Sequence, residues 1–352
     1  MKPHPIILAL VLLLVAGVAA LQWYWRDSRA RLAMPAGEAR VRPKLAQAVP
    51  PETEPVSAEA FQQRMETALT PEVLGRFLKA KGRSPARLAL MTRITRDRDY
   101  LVAAAAAFPE DPLPQLMLCQ WGRTPAERAT AVDAFRRLDP DNALGDLLAA
   151  RQELDAFRLP EAMALLRAAG EKSRLDTYAA ELGGTMEELY QFAGFSPLDA
   201  KVAAYVGGLS DPHATLVEGL VRRLTAKNGT SEFFGKPLND DETLEVGVAL
   251  GQLAQDQAGS AYEKFSGLTA ELMALQLADP EKPVPGLDNG KTAAQRMEEL
   301  VQWKKEFRDL VDQMSGKFFK LSPQDKLAYL EKAGREGEVT ALQWLADRDG
   351  GR

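Results

Sequence analysis

The stretch GLDNGKT, Gly286 to Thr292, ends in Gly-Lys-Thr ahead of a helical pattern, the order in which a phosphate loop offers amides and a lysine to a nucleotide. Its spacing argues against that chemistry. Three residues separate Gly286 from Gly290 where the loop needs four, Pro285 stands at the missing glycine, and Lys282-Pro283-Val284-Pro285 is no buried strand. We expect a connector with a cap for the following helix, and no nucleotide.

Histidine chemistry has little to draw on. His4 precedes an apolar segment, so a Ser-His-Asp triad or a histidine-rich zinc site would rest on His213 alone. His213 follows Asp211-Pro212, a helix-start signal, and is expected to be an exposed first-turn residue. The single cysteine, Cys119, excludes an internal disulfide and a cysteine-rich metal site. Its neighbours Leu116, Met117, Leu118 and Trp121 point to a buried, inert thiol.

Two acidic groups remain. Asp240, Asp241 and Glu242 open a helical pattern, where acids favour the positive end of the helix dipole. Asp347 and Asp349 flank Arg348, and neither group has the oxygen spacing of a calcium loop. A pair of carboxylates meeting in space could cleave glycosides, but the sequence singles out no pair. The sequence therefore assigns no catalytic, cofactor-binding or metal-binding residue. Lys+Arg 44 against Asp+Glu 49 gives a net charge of -5 with both signs mixed along the chain, and no nucleic-acid partner is expected.

The elements that would position any site begin with an address signal. Residues 6–25, IILALVLLLVAGVAALQWYW, are long and apolar enough at helical rise to cross a bilayer, and Trp23, Tyr24 and Trp25 suit an interfacial aromatic belt. Val18-Ala19-Ala20 offers a competing cleavage site, as in a removable signal peptide. We read residues 1-33 as a retained anchor, because apolar character runs past that site. Arg26, Arg29 and Arg31 after the span would by charge counting hold the body in the cytoplasm. The short N-terminal tail, apolar segment and Pro-rich spacer nevertheless resemble bacterial signal-anchor proteins, which implies an exported, periplasmic body. Residues 34-57 carry five prolines and no apolar period, and read as a semi-rigid linker.

From Ser57 onward the chain reads as all-α. A cap residue followed by Pro recurs at Thr70-Pro71, Ser84-Pro85, Thr124-Pro125, Ser196-Pro197, Asp211-Pro212 and Ser322-Pro323. Phe61, Met65 and Leu69 recur at helical spacing, as do Val217, Leu220, Val221 and Leu224. FPEDPLPQLML at Phe108–Leu118 is paraphrased by LDPDNALGDLLA at Leu138–Ala149, with Pro109 on Pro140 at an offset of 31 residues. PAERA at Pro125 is matched by PEAMA at Pro160, 35 residues on. Such offsets suit a helix-turn-helix repeat of roughly 34 residues.

Over residues 84-170 the chain resembles the tetratricopeptide-repeat family, through the LDPDNA junction and the small residues Ala162 and Ala169 seven apart. It departs from that pattern at Asp146, where the family has an aromatic, at Ala149-Ala150 for Leu-Gly, and at Arg174 for the terminal Pro. The resemblance implies stacked antiparallel hairpins over residues 58-174. Residues 175-352 read as a C-terminal helical domain: one or two helices over Leu238–Leu277, a break over Asp279–Gly290, a long helix from about Thr292, and two shorter ones after Ser322 and around Glu338.

The expected function is a membrane-anchored, non-enzymatic helical-repeat scaffold that binds another protein, with the membrane contacted through residues 6-25. Two alternatives stay open: an enzyme using a carboxylate pair in the C-terminal half, and a steric chaperone. For the latter, anchor, spacer and helical body resemble the lipase-specific foldases, whose RxxFDY-type motif is absent.

Overall fold

A computed structural model describes residues 58–208, 213–226, 240–287, 290–318 and 321–350, all within a unit running from Glu54 to Arg352. Residues 6–25, the linker 34–57 and His4 lie outside these. Among the described residues no helix is long and apolar enough to cross a membrane.

The described residues form sixteen helices. They are α1 (Ala58–Ala68), α2 (Pro71–Lys81), α3 (Pro85–Thr95), α4 (Asp99–Ala107), α5 (Pro112–Trp121), α6 (Pro125–Leu138), α7 (Ala143–Asp155) and α8 (Leu159–Gly170). Then follow α9 (Ala179–Phe192), α10 (Pro197–Gly208), α11 (Leu216–Thr225), α12 (Asp240–Asp256), α13 (Ala261–Leu275), α14 (Ala293–Phe318), α15 (Pro323–Glu336) and α16 (Glu338–Gly350). Helices adjacent in sequence pack as pairs: α3 with α4, α5 with α6, α7 with α8, α9 with α10, α12 with α13, and α15 with α16.

Local chemistry explains the starts. Thr70, Ser84, Thr124 and Ser322 each accept an amide three residues on, with Pro at the first helical position. The Ser196 hydroxyl accepts the Asp199 amide at 3.2 Å. At α6 the Glu127 amide donates to Thr124 while its carboxylate accepts from the Arg123 amide at 2.7 Å, so the start is tied from both sides. The 31-residue offset is structural: Asp111 caps α5 by accepting from Leu113, and Asn142 caps α7 by accepting from Leu144. Leu113, Leu116 and Met117 are buried in α5 as Leu144, Leu147 and Leu148 are in α7.

The largest apolar cluster draws on α3 through α8 and on α11 through α14, from Ala86 to Leu300. A second joins Leu74 and Phe77 of α2 to Leu189 and Tyr190 of α9, with Phe61 of α1 laid edge-on against Phe195 at 6.2 Å. Tyr329, Leu330 and Leu342 centre a third around α15 and α16.

Helices α12 and α13 cross closely, and glycines permit it. A Cβ on Gly251 would sit 2.7 Å from the Glu271 nitrogen, one on Gly267 2.8 Å from the Gln255 nitrogen, and one on Gly247 2.5 Å from the Ala274 methyl. Backbone atoms cannot retreat as a side chain can. Gly251→Ala should therefore cost about 1–3 kcal/mol by overpacking, read as a lower urea midpoint. Gly183→Ala on α9, where a Cβ meets nothing within 4 Å, should instead stabilise by about 0.5–1 kcal/mol through helix propensity. Equal shifts in the two variants would contradict the packing account.

Candidate functional site

The buried carboxylates are where chemistry would have to start, and each is held by cations. Asp139, Asp146 and Glu271 are the buried acids among the described residues. The DPDN turn between α6 and α7 positions the first. Asn142 is fully buried, donates to Asp139 Oδ2 and to the Asp176 carbonyl at 2.9 Å each, and accepts from the amides of Leu144 at 3.1 Å and Asp176 at 3.0 Å. Those bonds use every donor and lone pair of its amide. Asp139 also takes the Tyr178 hydroxyl at 2.6 Å and the Arg174 guanidinium. Burial first, and then the Asp139 carboxylate, push the Tyr178 phenol well above its ordinary pKa, so it remains a donor.

Asp146 faces α6 and the end of α8, bonded to Arg136 Nε at 2.8 Å and to Lys172. Its place in an early turn of α7, where the repeat pattern has an aromatic, is thus filled by an ion triad. Glu271 on α13 is fully buried. Arg296 of α14 grips both its oxygens at 2.7 and 3.1 Å, and Gln255 donates at 2.6 Å. A catalytic acid or base needs a site for its proton to come and go, and here the carboxylate oxygens are already bonded.

The other singled-out residues are scattered. Cys119 is buried, its thiol donates to the Gln115 carbonyl at 3.1 Å, and burial pushes its pKa up to about 12. At neutral pH it is no nucleophile. His213 corrects the expectation of an exposed first-turn residue: it lies in the turn before α11, is buried, and faces Gln120 of α5 through Nε2. It borders a cavity of about 30 Å³ shared with Leu147, Val217, Ala254 and Glu263, room for about one water.

Lys291 in the glycine loop is paired with Glu299 at 2.8 Å. Thr292 caps α14, exchanging bonds with Gln295 at 3.0 and 3.3 Å. Asp240, Asp241 and Glu242 open α12, and Glu242 pairs with Arg167 of α8. Asp347 accepts from Gln343 at 3.0 Å, while Asp349 lies in the last turn of α16. No group of acids, histidine and cysteine that could hold a metal occurs among the described residues.

What the sequence did not single out is an aromatic face on α13 and α14. Phe265 and Phe307 pack at 5.1 Å between the two helices. Tyr262, one turn from Phe265, is 60% exposed, and Trp303, one turn from Phe307, is 48% exposed beneath the Arg296 guanidinium at 5.2 Å. Val301 is 58% exposed on the same helix. Exposed aromatic rings are frequent material of protein interfaces. Comparison with protein families, with curated proteins and with solved structures finds no match for this chain.

If Glu271 is a structural charge, Arg296→Met should strand it and cost about 3–5 kcal/mol, while Glu271→Met with Arg296→Met should recover most of that stability. Chemical denaturation of the three proteins reads this directly, and a double variant no more stable than the single would contradict it.

Proposed function

We propose that this protein is a membrane-tethered, non-enzymatic scaffold whose helical body binds another protein outside the cytoplasm. The aromatic face of α13 and α14 carries the reading. It offers exposed ring surface at Tyr262 and Trp303 over a packed Phe265–Phe307 base, so a partner can bury apolar area without first ordering the site. The engagement of Asp139, Asp146 and Glu271 with cations favours this over an enzyme built on a carboxylate pair. The apolar residues 6–25 and the Pro-rich 34–57 support a tether, and their likeness to signal-anchor proteins supports export.

The hairpins α5–α6 and α7–α8, with matching caps at Asp111 and Asn142 and the fully buried Ala162 and Ala169, support two tetratricopeptide-like units. Such units would present α13 and α14 from a stack of hairpins.

Cross-linking of intact cells with a membrane-impermeant lysine reagent should trap the partner on the wild-type chain. Tyr262→Glu with Trp303→Glu should lower the yield at least about tenfold, by analogy with interface hot spots. Val102→Glu, at an exposed position of α4, should leave it unchanged. A yield indifferent to the first pair removes the face from the interface. Trapping only after lysis would place the body inside the cytoplasm.

A further inference from the structure

Charge is not evenly mixed between Glu72 and Asp97. That span holds seven Lys and Arg and no acid, in a chain whose net charge is -5. Of the 44 cations, 37 remain elsewhere against 49 acids, so the rest of the molecule stands at -12. Lys81 and Arg87 share one counterion, Glu188 of α9, at 3.2 and 3.0 Å. Burial works to raise the Glu188 carboxyl, and its bonds to Arg87 and Lys81 overcome this and hold it below the usual carboxylate value.

Arg76, Lys79 and Arg83 are exposed, and no ion pair engages them among the described residues. Arg76 and Lys79 share one side of α2 at a three-residue spacing, and Arg83 follows in the link to α3. The helix dipole accounts for Lys79 in the last turn, but not for Arg76 in mid-helix or Arg83 beyond the end.

We propose that this face of α2 and its link to α3 docks on the anionic headgroups of the bilayer to which residues 6–25 lead. The inference rests on the membrane-anchor reading. Helix α1 packs into the cluster that holds the buried side of α2: Phe61 lies on Phe195, Arg64 lies 4.2 Å over the same ring, and Leu74 and Phe77 of α2 join them. Arg76 and Lys79 lie on the side of α2 turned away from that cluster and open to solvent. Residues 34–57 span at most about 80 Å fully extended, so the bilayer surface stays within constant reach.

The -12 on the remaining chain adds orientation, because an anionic plane attracts this face and repels the others. A nucleic acid fits less well. Phe77, the one aromatic in the basic span, is buried, which leaves no ring for base stacking.

Full-length protein in vesicles supplies the test. It is reconstituted into phosphatidylcholine alone, or with about a third phosphatidylglycerol, and treated with a membrane-impermeant acetylating ester. Each cation near such a surface should favour contact roughly fivefold, and three together roughly a hundredfold. Lys79 acetylation, read by mass spectrometry, should slow at least about fivefold on the anionic vesicles and recover in about half-molar salt. Lys305, exposed on α14, should not change. Arg76→Gln with Arg83→Gln should abolish most of the Lys79 protection.

Equal Lys79 rates on both vesicles overturn the proposal, as does equal slowing of Lys305. Stronger protection by a free oligonucleotide at physiological salt would assign the face to nucleic acid and overturn the lipid assignment. Flotation with the neutral vesicles tests the anchor separately. A chain that fails to float there refutes the anchor reading, while Lys79 protection by added anionic vesicles still decides the face.

Discussion

Asn142 has a side-chain amide with no water to turn to, and the arrangement of the central hairpins depends on how it is satisfied. Its four bonds reach three places at once: Asp139 at the end of α6, Leu144 at the start of α7, and Asp176 in the segment between α8 and α9. Each unmatched buried group would cost on the order of 1–3 kcal/mol. The Ala143 amide adds a bond to the Arg174 carbonyl at 2.8 Å, and Tyr178, in a left-handed conformation at φ 59, ends the segment and starts α9. The segment between α8 and α9 is thereby fastened to the turn one hairpin earlier. That is how hairpins which only bury their faces against neighbours keep a register.

The same logic recurs at the α12–α13 crossing, where Gly251 and Gly267 bring backbones together and enclose Glu271. A carboxylate so enclosed needs Arg296, and Arg296 fixes α14 against α13. The exposed consequence is the aromatic face, since the guanidinium that holds Glu271 also lies against Trp303. Interior charge thus sets exterior shape. The body carries two surfaces of different character, aromatic on α13 and α14 and basic on α2, the first proposed for a protein partner and the second for a bilayer.

Much of the helical architecture was legible because helix starts are local chemistry. Thr70, Ser84, Thr124 and Ser322 cap as read, since a hydroxyl followed by Pro has few other uses. Ser260 and Glu263 form a full capping box that went unread for want of a Pro. His213 was misplaced because Asp211-Pro212 signals a start while α11 begins at Leu216, and because its contact with Gln120, 93 residues distant, does not show in local spacing. Asp146 looked like a defect in a repeat; only Arg136 and Lys172, brought in by folding, make it a buried anchor. The aromatic face was hidden for the same reason, since spacing alone does not say which side of α14 is left open. The basic span was in plain view, but whole-chain charge averaging concealed it.

The dependence of the hairpin register on Asn142 is best tested by residue-resolved hydrogen exchange on the full-length protein and on Asn142→Ala. If Asn142 is the shared fastening, amides throughout α7, α8 and the segment 174–178 should lose protection together, by about 2–4 kcal/mol for several unmatched buried groups. Loss confined to the first turn of α7 would show that Asn142 is an ordinary helix cap and contradict the account.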